Sequence, residues 1–67
     1  MKYSDIFKIR PGSWIRGLIG TLGPEDVLVM EVGELTLRAD CKKFSVSFRD
    51  DKNRLWYVSE TSKAELL

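Results

Sequence analysis

Residues 27–39, VLVMEVGELTLRA, decide the predicted fold because a single assumption about their centre assigns every side chain to a face. If Gly33-Glu34 forms a two-residue type II′ turn, with glycine supplying the positive φ of the first turn position, Val32 and Leu35 become direct cross-strand neighbours. A register shifted by one residue would bury charged side chains without partners, so turn and pattern predict the same hairpin. Its apolar, inward face consists of Leu28, Met30, Val32, Leu35, Leu37 and Ala39.

The residues before this hairpin predict a turn and further strands. Residues 3–10, YSDIFKIR, alternate as a strand with Phe7 and Ile9 inward, although a helical turn over residues 4–7 with Ser4 as N-cap fits them too. Pro11-Gly12 predicts a type II turn, because proline fixes the first φ and glycine provides the positive second one. The strand of residues 13–21 follows. Its recurring glycines are expected to permit sharp bending rather than to bind phosphate, since no phosphate-loop lysine and no helix come after them.

A second hairpin is predicted towards the C-terminus. Residues 44–49, FSVSFR, and residues 54–59, RLWYVS, flank a loop that suits four residues built on a type I turn. Pairing Arg49 with Arg54 assigns the faces, and a loop of odd length would exchange Trp56 with Tyr57. Ser62 and Glu65 have capping-box spacing, so residues 62–67 are expected to form one helical turn or to fray. The inward residues are Phe44, Val46, Phe48, Leu55 and Tyr57, and the outward residues are Ser45, Ser47, Arg49, Arg54, Trp56 and Val58.

These elements predict a single all-β domain over residues 1–67. Several short strands at close spacing, with no repeat or linker, are typical of an antiparallel barrel or sandwich. A five- or six-stranded SH3-like or OB-like barrel or meander, with one short terminal helical turn at most, is the most economical arrangement. A domain of this size buries only about 60% of the surface exposed by its unfolded chain, so we expect self-association to supplement the core.

Composition argues against several functional classes. The chain has 11 Lys and Arg, 10 Asp and Glu, one Cys and no His, which gives a net charge of +1. Without histidine there is no Cys/His zinc site and no usual proton carrier for catalysis near neutral pH, so we expect no enzymatic activity, cofactor or metal. Cys41 is interpreted as a structural cysteine, because it lacks a histidine partner. With no apolar run that could cross a bilayer and no secretory leader, we expect a cytoplasmic protein.

The remaining chemistry is that of binding. Tryptophan and arginine are enriched in interface hot spots, because rigid aromatics bury much area and arginine forms several planar hydrogen bonds. The balanced, interspersed charge favours a protein contact, either with a partner protein or with a second copy. The alternative is a nucleic-acid-binding barrel in which the aromatics stack on bases and Lys or Arg side chains contact phosphates. No small-molecule substrate or membrane contact is inferred. The candidate binding residues are Trp14, Arg16, Arg49, Arg54, Trp56 and Val58, with Lys42 and Lys43 added in the nucleic-acid alternative.

Overall fold

A computed structural model describes residues 1–38 and 43–67 of the chain. Its elements are α1 (Tyr3–Ile6), β1 (Trp14–Gly20), β2 (Gly23–Arg38), β3 (Lys43–Asp50), β4 (Leu55–Ser59) and β5 (Glu65–Leu66). The strands form one antiparallel sheet in the order β4-β3-β2-β1-β5, which confirms the predicted all-β class. β4 and β5 remain separate edges, so the sheet does not close into a barrel. The interpretations of Ala39, Cys41 and Lys42 fall outside the described residues.

β2 is one continuous strand, and the hairpin predicted at Gly33-Glu34 is therefore wrong. Two irregularities in the β2–β3 pairing replace the turn, one between Val29 and Glu31 and one between Val32 and Leu35. At each irregularity β2 has one residue more than β3, which makes it a β-bulge. A Cβ atom at Gly33 would overlap the Oγ of Ser47 on β3. The glycine therefore allows close strand approach and does not form a turn.

The bulges change which side chains of β2 face the core. Val27 and Val29, predicted to face outward, are buried, whereas Met30, Leu35 and Leu37, predicted to face inward, are exposed. Side chains alternate between faces only while the pairing is uninterrupted, and each extra residue shifts the alternation. The facing predicted from the hairpin is therefore wrong for the N-terminal part of β2. Leu35 and Leu37 pair with Val46 and Phe44, so they lie on the predicted face of the sheet although they are exposed.

β3 and β4 form the predicted second hairpin, but with a shorter loop. The Asp50 N–H donates to the Arg54 carbonyl and the Asn53 N–H donates to the Asp50 carbonyl, at 3.1 Å each, so that residues 51–53 form the loop. Asn53 has φ 62. This left-handed residue after a type I turn is the usual construction of a three-residue hairpin loop. The loop is therefore odd in length, and the predicted pairing of Arg49 with Arg54 is wrong.

The shorter loop exchanges the two faces of β4. Phe48 pairs with Trp56, and Arg49 pairs with Leu55. Val58, predicted outward, is only 1% exposed, and Tyr57, predicted inward, is 70% exposed. Leu55, also predicted inward, is exposed as well. On β3 the inward facing of Val46 and Phe48 is confirmed, since both are buried.

The N-terminal residues form helix α1, so the strand predicted for residues 3–10 is wrong and the helical alternative is confirmed. Lys2, and not Ser4, precedes the helix, and no side chain caps it. Ile6 and Ile9 are buried against the sheet, while Phe7 is exposed. At the other terminus, residues 62–67 contain the short strand β5 in place of the predicted helical turn, and Glu65 pairs with Arg16 of β1.

β1 enters after the predicted Pro11-Gly12 turn, which is confirmed by the bond from the Ser13 N–H to the Arg10 carbonyl and by φ 97 at Gly12. The strand then bends at Gly17, which has φ 83 and lies in a bulge. The bulge turns both Ile15 and Leu18 inward, so the predicted bending role of the glycines is confirmed there.

The core lies inside the curved sheet and under α1. Among the described residues, the one helix is neither long nor apolar enough to cross a bilayer. The buried core residues are Ile6, Ile9, Ile15, Leu18, Val27, Val29, Val46, Phe48, Val58 and Ala64.

Candidate functional site

The binding residues predicted from the sequence do not form one surface. Trp14 and Arg16 are exposed on β1, and Arg49 is exposed on β3. Val58 belongs to the core, so the outward facing that made it a candidate is wrong. The remaining two candidates, Arg54 and Trp56, take part in a polar network within the second hairpin.

Asp50 is the centre of that network. Its side chain is fully buried, and its Oδ1 accepts hydrogen bonds from the backbone N–H groups of Lys52 and Arg54, at 2.9 Å each. Its Oδ2 accepts from Arg54 Nε at 2.7 Å and from Trp56 Nε1 at 2.9 Å. Burial alone would raise the pKa of Asp50, but the hydrogen bonds from Trp56, Arg54 and Lys52 together lower it to about 2. The carboxylate therefore holds the loop and the start of β4 in place.

Arg54 connects the second hairpin to β2. Its Nη2 donates to Glu25 Oε1 at 2.5 Å, and its Cζ lies 5.1 Å from the centroid of the Trp56 ring. The hydrogen bond to Glu25, followed by the contacts with Asp50, raises the pKa of Arg54, and the same bond lowers the pKa of Glu25. Two of the three guanidinium nitrogens of Arg54, Nε and Nη2, thus form hydrogen bonds within the fold. The network that contains Arg54 and Trp56 is a structural feature of the hairpin.

A different surface, which the sequence assigned largely to the inward face, is exposed. Tyr3, Phe7 and Phe44 form a cluster with ring centroids 5.0, 5.5 and 5.3 Å apart. Leu37 pairs with Phe44 across the β2–β3 ladder, and Leu35 precedes it on the same face of β2. We call these five residues the aromatic patch. Tyr3, Phe7, Leu35 and Leu37 are 44–54% exposed.

The aromatic patch is exposed because β2 and β3 extend beyond the strands beside them. On one side, the ladder of β1 with β2 reaches only as far as Leu28, and on the other, β4 pairs with β3 only from Ser45 onwards. Helix α1 meets this two-stranded end through the aromatic cluster. Edge-to-face ring contacts are worth about 0.5–1.5 kcal/mol each, so the ring contacts stabilise the cluster although it is open to water.

Polar groups border the aromatic patch. Lys8 Nζ lies 4.0 Å from Asp5 Oδ1 beside the cluster, and the Phe44 backbone N–H donates to Glu60 Oε2 at 2.9 Å. An apolar centre within a polar rim is the usual anatomy of a protein interface.

The sequence contained one signal for this patch. Hydrophobic residues make up 43% of the chain, which is more than the small core holds, so some large apolar side chains had to remain outside it. The periodic pattern could not show which ones, because it placed four of the five patch residues inward.

Among residues 1–38 and 43–67, no group of three or more His, Cys, Asp or Glu side chains could hold a metal ion. No protein-family model matches the chain, and no curated protein or solved structure matches it significantly. The function has to be inferred from the geometry of the chain.

Proposed function

We propose that this chain is a non-catalytic protein-binding module and that the aromatic patch is its contact surface for another protein. One observation carries the proposal: five large apolar side chains lie side by side, and four of them are about half exposed. Contiguous exposed apolar surface with a polar rim marks interaction sites on soluble domains. Aromatic residues in particular are enriched at the centres of protein interfaces.

The fold supports the same proposal. β2 pairs with β1 over its first part and with β3 over its second part, and each pairing contains a bulge or more than one. Bulges bend the strand in which they occur. A long bent strand shared in this way favours an SH3-like or OB-like small barrel, a class of folds that hosts many binding functions. We propose that the chain belongs to this class as an incompletely closed barrel.

Charge pairing favours a protein over a nucleic acid as the partner. Arg54 forms ion pairs with Glu25 and Asp50, and Arg16 Nε lies 4.0 Å from Asp26 Oδ2. Nucleic-acid affinity depends on cationic side chains that neutralise phosphates, and these two arginines already have carboxylate partners. Among the described residues named for the nucleic-acid alternative, Trp14 lies on β1, whereas Arg49 and Lys43 lie on β3.

The test compares Leu37→Ser in the patch with Leu22→Ser in the β1–β2 turn, where the leucine is fully exposed and distant from the patch in the pairing. Each immobilised variant and the parent are incubated with extract of the source cell, with and without nuclease, at low and high salt. We expect Leu22→Ser to retain the partner and Leu37→Ser to retain at least about tenfold less, a loss of about 1.4 kcal/mol. Equal retention by the two variants would refute the proposal that the aromatic patch is the contact surface. Retention abolished by nuclease and steeply weakened by salt would favour the nucleic-acid alternative.

A further inference from the structure

A groove lies on the side where the sheet stays open. One wall is formed by residues 17–19 of β1, the other by Trp56 and Tyr57 of β4, and residues 62–64 close it between them. Its volume is about 330 Å³, and it is open to solvent. We call it the seam groove. None of its lining residues belongs to the aromatic patch.

The β4 wall of the seam groove is a free strand edge. The Asp50 N–H donates to the Arg54 carbonyl, and backbone groups alternate in direction along an antiparallel strand. The N–H and C=O groups of Trp56 and Val58 therefore point to β3, and those of Leu55 and Tyr57 point away from it. In the described part of the chain, no strand pairs with β4 on that second side.

The β1 wall is also unpaired on the groove side. In the described part of the chain, β5 pairs with β1 at Ile15 and Arg16, and this pairing does not extend to residues 17–19. Within residues 1–38 and 43–67, no backbone hydrogen bond extends from the remainder of β1 to β4. Two strand edges thus face one groove without a strand between them.

We propose that the seam groove binds an extended segment of another polypeptide, which adds to the free edge of β4 as a sixth strand. Such a segment would accept a hydrogen bond from the Tyr57 N–H and donate one to its carbonyl, as in other cases of strand addition. Ile19 and Tyr57, about 70% exposed, would contact apolar side chains at alternate positions of the segment.

The charge of the groove defines the segment further. Lys63 is the one charged side chain in the lining, and it is exposed. It complements a carboxylate, so the segment combines alternating apolar residues with an acidic residue near one end. An edge strand of a second folded copy would bring its own neighbouring strand about 4.8 Å further from β4, towards the wall formed by residues 17–19 and 62–64. A single extended segment needs no such space.

The first experiment measures amide hydrogen exchange by NMR on the full chain without any ligand. We expect the Leu55 and Tyr57 amides to exchange at least about tenfold faster than those of Trp56 and Val58, as amides without a hydrogen-bond partner do. Protection of Leu55 and Tyr57 that increases with protein concentration would mean that a second copy covers the edge, and it would overturn the proposal.

The second experiment pans a display library of random heptapeptides against the full chain, and adds the enriched peptides to the labelled protein. We expect the enriched peptides to have alternating apolar residues and an acidic residue. We also expect them to slow hydrogen exchange of the Tyr57 amide. A derivative with proline at the centre should bind at least about tenfold more weakly, since proline cannot donate to a ladder. No enrichment, or enrichment only of peptides that perturb Phe44 and Leu37, would overturn the proposal.

Two variants separate this inference from the proposed function, which uses the aromatic patch. Ile19→Lys places a charge in the groove wall at an exposed position, and Leu22→Lys is the matched control on the same hairpin. We expect Ile19→Lys to weaken peptide binding at least about tenfold and Leu22→Lys to leave it unchanged. Leu37→Ser should leave peptide binding intact. If Leu37→Ser weakens it as strongly as Ile19→Lys does, the peptide binds at the patch and the inference about the groove fails.

Discussion

The two ends of β3 differ in what their side chains contribute. At one end the carboxylate of Asp50 is buried and accepts four hydrogen bonds from the hairpin loop and β4. At the other end Phe44 touches Tyr3 and Phe7, and its cross-strand partner Leu37 is more than half exposed. Groups whose contacts lie inside the fold stabilise it. Exposed apolar surface contributes its burial free energy, about 25 cal/mol per Å², only when a partner covers it. The Asp50 end is thus expected to govern stability and the Phe44 end to govern binding.

The largest effect is expected for Phe48→Ala, between the two ends. Phe48 is only 1% exposed, and its removal leaves a cavity that should lower the free energy of unfolding by about 3–5 kcal/mol. Leu37→Ala, at the patch end, removes a side chain that water already reaches and should change it by less than about 1 kcal/mol. Urea unfolding of both variants measures the difference. Equal losses would mean that Leu37 is buried in solution and that the two ends do not differ.

Asp50→Asn should have the next largest effect. The amide cannot replace a carboxylate that accepts four hydrogen bonds, and bonds to charged groups contribute about 1.5–3 kcal/mol, so we expect a loss of about 2–3 kcal/mol. Asp51→Asn is the matched control, because Asp51 is adjacent and exposed. Thermal melting should show a lower Tm for the first variant and an unchanged Tm for the second. If the two variants have the same Tm, the network around Asp50 does not stabilise the hairpin.

The same carboxylate predicts a pH dependence. The ordinary pKa of 3.8 is lowered to about 2 in the folded chain, so Asp50 stabilises the fold fully above the unfolded value and loses this contribution as the pH falls towards 2. We expect the Tm difference between the parent and Asp50→Asn to be constant above about pH 5 and to shrink continuously below it. If this Tm difference stays constant as the pH falls to the folded-state pKa of Asp50, the charge of Asp50 does not stabilise the fold.

The pattern of residues predicted the class of the fold and several local features well. The Pro11-Gly12 turn and the inward facing of Val46 and Phe48 depend on neighbouring residues alone, and both are confirmed. The role of Gly33, in contrast, could not be predicted from its neighbours in the sequence. Glycine serves equally well for a positive φ in a turn and for close approach of another strand, and Ser47, which decides between them, lies on β3. A local pattern cannot contain that contact.

The candidate site was harder to predict than the fold for a related reason. One residue in the length of the loop after Asp50 decides whether Trp56 or Tyr57 faces the core, and the left-handed conformation of Asn53 made the loop shorter than predicted. The exposure of Leu35 and Leu37 depends on where the neighbouring strands end. Both are properties of the assembled sheet, whereas periodicity reports only which residues share a face.

The smallest changes in the free energy of unfolding are expected for substitutions of the two tryptophans. They are the most sensitive test of the difference between the two ends of β3. Trp56 Nε1 donates to the buried Asp50 at 2.9 Å, whereas Trp14 is half exposed on β1. Trp56→Phe keeps most of the ring but removes the donor, so it should lower the free energy of unfolding by about 1–2 kcal/mol. Trp14→Phe should change it by less than about 0.5 kcal/mol, as expected for an exposed position.

Each of these variants retains a single tryptophan, so fluorescence reports the environment of the other one directly. The Trp14→Phe protein, which keeps Trp56, should emit at shorter wavelength and be quenched less by acrylamide than the Trp56→Phe protein. The assignment of Trp56 to the outward face, which the sequence alone predicted, implies the opposite result. Emission from Trp56 as red-shifted and as readily quenched as that from Trp14 would place the indole in water. The buried carboxylate of Asp50 would then lack one of its donors, and the contrast between the two ends of β3 would be smaller than their geometry implies.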